Sequence, residues 1–84
     1  MAFTVYMLRC ADGTLYVGST TDLERRLHEH NHLKSGARYT RARRPVEVVH
    51  SEDFETWSAA LKRECVIKKW SREKKLGLVQ DSAQ

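Results

Sequence analysis

The stretch VYMLRCADGTLYVGST, residues 5 to 20, constrains the fold more than any other part of the chain. Phe3 to Arg9 and Leu15 to Ser19 are rich in β-branched, aromatic and aliphatic residues, and the Asp12-Gly13 dipeptide between them is a strong hairpin signal. Two antiparallel strands follow. The loop length then decides which side chains share a face, because successive residues on a strand point to opposite sides. A two-residue loop would set Tyr16 opposite Arg9, on the other face from Tyr6. A three-residue loop, Ala11-Asp12-Gly13, sets Tyr16 opposite Leu8, with Tyr6 on the same face at the diagonal, about 7 Å off between Cα atoms. That longer loop wants a left-handed residue at its last position, where Gly13 stands.

The next segment, TTDLERRLHEHN, has Thr21 with Glu24 three residues on, a capping-box pattern, and Leu23 and Leu27 at helical spacing. A short helix over about Asp22 to Asn31 is predicted. Residues 32 to 44 are polar and basic with one glycine, and read as a loop with room for a turn of helix. A third strand begins at Pro45 in PVEVVHS, a position that a strand's start tolerates. Thr56 to Trp70 is helical in pattern, and Ser71 caps a last short helix before a frayed tail over 79 to 84. The order ββα, basic loop, βαα gives an α+β fold, a small three-stranded and mostly antiparallel sheet flanked by helices. No repeat or domain boundary interrupts residues 1 to 84.

A chain of 84 residues has room for one site and little more. Its two cysteines, Cys10 and Cys65, have no zinc or disulfide spacing and read as reduced thiols. With no export signal and no long apolar run, the expectation is a cytoplasmic protein with no membrane partner. Twelve of the fifteen Lys and Arg lie between Lys34 and Lys75, a distribution that suits a polyanion.

Side-chain placement makes the chemistry more specific. Leu23, Arg26, Leu27 and His30 fall on one side of the first helix. In the later helix Trp57, Ala60, Leu61 and Ile67 form an apolar stripe, with Glu64 near its centre. Charged groups in such places call for partners. The bland alternative is a structural salt bridge between Arg26 and Glu64. Two phenols, an arginine, a histidine and a carboxylate are, however, the residue types that phosphodiester cleavage needs, to orient water, stabilise charge and hold a cation.

In this order the residues resemble the GIY-YIG nuclease superfamily. Its first motif is matched by Thr4-Val5-Tyr6 and its second by Tyr16-Val17-Gly18; its helix arginine by Arg26, the position four residues on by His30, and its later glutamate by Glu64. The likeness is greatest to the small stand-alone bacterial UPF0213, or YhbQ-like, group. The resemblance implies a DNA endonuclease, structure-specific in repair or recombination, with Tyr6 as base or water-orienting phenol and Tyr16 as a second phenol. It also implies Arg26 at the transition state, His30 in proton transfer or phosphate contact, and one Mg²⁺ or Mn²⁺ on Glu64. Gly13 and Gly18 read as structural turn glycines. DNA in branched, nicked or single-stranded form would be held by Arg38, Tyr39, Arg41, Arg43 and Arg44 of the basic loop, with Tyr39 stacking on a base, and by Lys68 and Lys69. The rival reading is a nucleic-acid-binding module of the same fold without useful turnover.

Overall fold

The structure is a computed structural model that describes residues 2–33 and 38–82, and for 80–82 the backbone alone. Lys34 of the basic loop lies outside the described residues. Strands β1 (Phe3–Cys10), β2 (Leu15–Thr20) and β3 (Val46–Phe54) form one sheet in the order β2-β1-β3. Both pairings are antiparallel. Helix α1 (Leu23–His32) and the single turn α2 (Arg38–Arg41) follow the hairpin, and α3 (Trp57–Lys68) and α4 (Arg72–Ser82) follow β3.

The hairpin adopts the three-residue loop. Leu8 pairs with Tyr16 and Tyr6 with Gly18, the Gly13 amide donates to Cys10 O at 2.9 Å, and Gly13 sits at φ 85. Asp12 completes the turn by accepting from both the amide and the hydroxyl of Thr14. Tyr6 and Tyr16 therefore share a face, as the loop length requires.

Alternation along β1 divides the apolar residues into two layers. Val5 and Met7 pack with Val17, Ala60 and Ile67 beneath α3 and α4. Tyr6, Leu8 and Cys10 pack with Val46, Leu23 and Leu27 beneath α1. Between Met7 and Leu8 the β1–β3 register shifts by one residue, because Met7 faces His50 while Leu8 faces Val48. This bulge lets Val48 join the α1 side and Val49 the α3 side. Arg63 ties α3 to β3 through a two-pronged bond to Glu52, which also bonds His50.

Several boundaries differ from expectation for identifiable reasons. The cap of α1 is Asp22, whose carboxylate accepts from Arg25 N, so the capping box opening at Thr21 is not the one used. Strand β3 runs on to Phe54 because the whole of β1 is available for pairing. Helix α4 begins after Ser71, whose hydroxyl accepts from Lys74 N, and continues through Ser82, into the tail expected to fray; Leu78 and Val79 pack on the core.

Gly13→Ala puts a Cβ on a left-handed residue, and should cost about 1 kcal/mol. Urea unfolding is the measurement; an unchanged midpoint would contradict the turn described.

Candidate active site

Position 18 controls how the site is assembled. A Cβ built on Gly18 would lie 2.6 Å from the Tyr6 hydroxyl and 2.8 Å from its Cζ. Tyr6, rooted on the central strand, therefore lies over the backbone of its neighbour and carries its phenol to β2, an edge strand. Gly18 is thus not a turn glycine. It lies inside β2 with no positive φ, and its function is to leave room for an aromatic ring.

On the α1 face the Tyr6 hydroxyl lies 2.8 Å from His30 Nε2, and His30 Nδ1 lies 2.8 Å from Thr40 Oγ1. His30 and Thr40 are both fully buried. The Arg26 guanidinium donates to the Tyr6 oxygen and pairs with Glu29 at 3.2 Å. Because Arg26 can only donate, the Tyr6 oxygen accepts from it, and the phenol hydrogen is free for the imidazole. Tyr6, Tyr16 and His30 form a triangle of rings with centroids 5.1 to 6.4 Å apart.

Burial decides the protonation states. It pushes the Tyr6 phenol up to about 12, overriding the Arg26 hydrogen bond, with Tyr16 and Glu64 adding in the same direction. Burial lowers His30 to about 4, helped by the positive charges of Arg26 and Arg44 and opposed by Glu29. At neutral pH both groups are uncharged. His30 is sealed from solvent in this structure, with Tyr6 on one ring nitrogen and Thr40 on the other.

Glu64 reaches the site from the other layer. On α3 the residues that bury are Ala60 and Ile67, and Glu64 lies between them at helical spacing; Trp57 and Leu61 are exposed. The apolar stripe expected through Trp57 and Leu61 is therefore not the buried face, although the inward position of Glu64 holds. Its carboxylate accepts from the Ser19 hydroxyl and pairs with Lys68 Nζ at 2.6 Å. The alternative salt bridge between Arg26 and Glu64 is absent among the described ion pairs: Arg26 pairs with Glu29 and Glu64 with Lys68. No cluster of three or more His, Cys, Asp or Glu able to hold a metal occurs among the described residues.

The basic loop is less free than its composition suggests. Arg44 donates to the carbonyls of Glu29, His30 and Leu33, closing the C-terminus of α1. Arg43 pairs with Asp12 of the hairpin loop, bonds Tyr39 O, and lies 4.0 Å from the Tyr39 ring centroid. Tyr39 in turn stacks on Tyr16, with centroids 6.0 Å apart. Arg43 and Arg44 are structural in this arrangement, and the ring of Tyr39 is engaged by protein groups rather than offered to a base. Arg38, Arg41 and Lys69 are exposed, and Lys68 is half exposed beside Glu64.

The model of the GIY-YIG catalytic domain matches residues 2–76. The chain belongs to the GIY-YIG family. Among its relatives, a UPF0213 protein of Syntrophus aciditrophicus is 51% identical over 80 residues, covering 95% of this chain and 92% of the relative. One of Natronomonas pharaonis is 57% identical over 77 residues, covering 92% and 89%. The solution NMR structure of a UPF0213 protein from Bacillus halodurans aligns with a TM-score of 0.61 at 41% identity, covering 95% of this chain and 84% of that one. A solution NMR structure of an E. faecalis protein gives 0.66 at 42%, covering 96% and 85%. The GIY-YIG sheet and helix arrangement is thus shared with solved relatives, and the first-motif tyrosine and second-motif glycine meet directly as Tyr6 on Gly18.

Thr40 has a role that the sequence does not assign, and Lys68, expected to hold DNA, has a further one as the partner of Glu64. Lys68 had a signal, since it stands four residues after Glu64 on one helix. Thr40 had none, because its bond to His30 spans a basic loop.

Two outcomes follow from this geometry. Gly18→Ala should destabilise the fold by about 1–3 kcal/mol, the usual cost of overpacking, and move Tyr6 off His30; thermal unfolding and the His30 ring NMR signals report both. His30 has its folded pKa below the unfolded value, so its contribution is complete above pH 6.5 and is lost as the pH falls through about 4. Stability should drop by about 3 kcal/mol over that window, and by visibly less in His30→Gln, in urea unfolding at pH 7 and 4.5.

Proposed function

We propose that this chain is a metal-dependent endonuclease that hydrolyses phosphodiester bonds in DNA at the free edge of β2, with a role in repair or recombination of branched, nicked or single-stranded forms. The observation that carries the reading is the Tyr6 phenol held over Gly18 between the Arg26 guanidinium and the buried His30. Family membership supports nuclease chemistry in general, and the basic stretch from Arg38 onward supports a polyanionic substrate.

Tyr6 keeps its proton at neutral pH, so it does not act as a ready-made phenolate. Its hydrogen is directed to His30 Nε2, and its oxygen has a lone pair left, beside the one that Arg26 uses, for the attacking water. As the water's oxygen bonds to phosphorus, the water's proton shifts to Tyr6 and the phenol's own proton shifts to His30. Thr40 accepts from Nδ1 throughout. The low basicity of buried His30 returns that proton to Tyr6, which releases the proton it took from the water to solvent, and the pair is reset. The P–O bond opposite the water breaks, and the leaving oxygen takes a proton from solvent. Arg26 and Tyr16 face the phosphate; the guanidinium stabilises the added negative charge.

Glu64 fits the role of sole protein ligand to a Mg²⁺ or Mn²⁺ ion. It supplies one carboxylate, 16% exposed, and Lys68 already sits on it as a cation. Mg²⁺ commonly binds through one or two carboxylates, with waters and phosphate oxygens completing its shell, and when bound there it would polarise the phosphate. The Lys68 side chain is 51% exposed, so it can swing aside at little cost.

The rival reading, a binding module without turnover, draws on the same pairs: Glu29 and Lys68 already engage the two charges that catalysis needs. A nicking assay on single-stranded, nicked and branched DNA with and without Mg²⁺ separates the two. Wild type should cut only with metal, and Arg26→Ala, Glu64→Gln and Tyr6→Phe should each slow cutting by about 10²-fold or more. Equal cutting by all three, or none by wild type, would put the binding module in its place.

A further inference from the structure

A recess of mixed polar and apolar lining lies further along the β2 edge, outside the catalytic cluster. It is a cleft of about 200 Å³ lined by Thr14, Leu15, Tyr39, Arg72 and Lys75, so three parts of the chain converge on it: the exit of the hairpin loop, α2 and the first turns of α4. Arg72 and Lys75 stand three residues apart and present their charges on one side of the helix. Lys75 is half-buried. Among the described residues neither has a carboxylate partner; the described ion pairs use other acids and other bases. Asp12, two residues before Thr14 of the lining, is already held by Arg43 and Thr14. Two cations in a concave recess, one of them partly desolvated, gain more from an anion than cations on a convex surface do.

The recess is joined to the catalytic cluster by direct contact. Tyr39 forms its wall and stacks on Tyr16, and Leu15 precedes Tyr16 in β2. From Gly18 to Leu15 is three residues of strand, about 10 Å along the edge. An anion held there is a near neighbour of a phosphate over Tyr6 and not the same group.

Resting on the nuclease reading above, we propose that Arg72 and Lys75 form a subsite for the backbone phosphate of a nucleotide flanking the scissile bond, with its sugar against the rim of Tyr39. The substrate strand then runs along the free edge of β2 from Ser19 toward Thr14, and α4 contributes to binding as well as to the core. Because the contact is to phosphate, it adds affinity and register without reading sequence.

The test is binding of a fluorescein-labelled single-stranded DNA oligonucleotide by anisotropy, without metal, across a salt series. Arg72→Gln/Lys75→Gln should lower the slope of log K against log salt by about 0.7 to 1.4, one or two phosphate contacts. Arg72→Glu, at an exposed position that does not threaten folding, should weaken binding by about tenfold at low salt. Lys62→Gln on α3, away from this recess, is the control and should change the slope less. A series of oligonucleotides with one neutral methylphosphonate each should reveal a flanking position that matters to wild type and no longer matters to the double variant. Equal slopes and equal methylphosphonate profiles for wild type and double variant would overturn the subsite while leaving the nuclease reading intact. A wild type that neither binds nor cuts would overturn both.

Discussion

Everything at the site depends on an aromatic ring crossing a strand that has no side chain beneath it. Tyr6 is rooted in the middle of the sheet, where β1 is paired on both sides and held most firmly, yet its hydroxyl lies over the edge strand β2. A tyrosine on an edge strand could reach the same place only from a less rigid base. Gly18 resolves that conflict between anchoring and access, at the entropic cost a glycine carries inside a strand.

The ring's burial has a chemical consequence. With its phenol pushed up to about 12 and its partner His30 lowered to about 4, the pair is neutral over a wide pH range. A neutral pair can sit in the α1-side layer beside Leu8, Cys10 and Val46 without the desolvation cost of an ion. Packing and the proposed catalysis would demand the same protonation state. Thr40, carried on the single turn α2, completes the chain by satisfying the other imidazole nitrogen.

How much of this was legible in the sequence follows from the range of each interaction. The hairpin loop, the shared face of Tyr6 and Tyr16, and the inward turn of Glu64 are set by spacing along one or two elements, and periodicity carries them. The two α3 residues Trp57 and Leu61 were misplaced because several orientations of an amphipathic helix look equally apolar in sequence; the sheet chose the face with Ala60 and Ile67, and the position of Glu64 was the same in either case. The arginines of the basic loop misled for another reason. In sequence Arg43 and Arg44 look like free charges, and only tertiary structure reveals the carboxylate and the carbonyls that occupy them. Gly18 was seen as a motif residue, but its reason, a ring from the adjacent strand, depends on register.

The ion pairs at Arg26 and Glu64 have one more implication. Each helix that contributes a charge to the site also contributes its opposite, one turn away: Glu29 after Arg26, Lys68 after Glu64. In the unliganded protein these two groups are therefore already compensated from within their own helices. In the proposed reaction, a phosphate arriving at Arg26 would replace Glu29, and a cation arriving at Glu64 would replace Lys68. Occupancy is an exchange of partners more than an addition of charge, so the groups stay positioned between encounters while the net attraction at this spot stays small. On the proposed reading, such a site would hold no ligand firmly by these groups alone, and the proposed contacts further along the β2 edge would keep a strand in place.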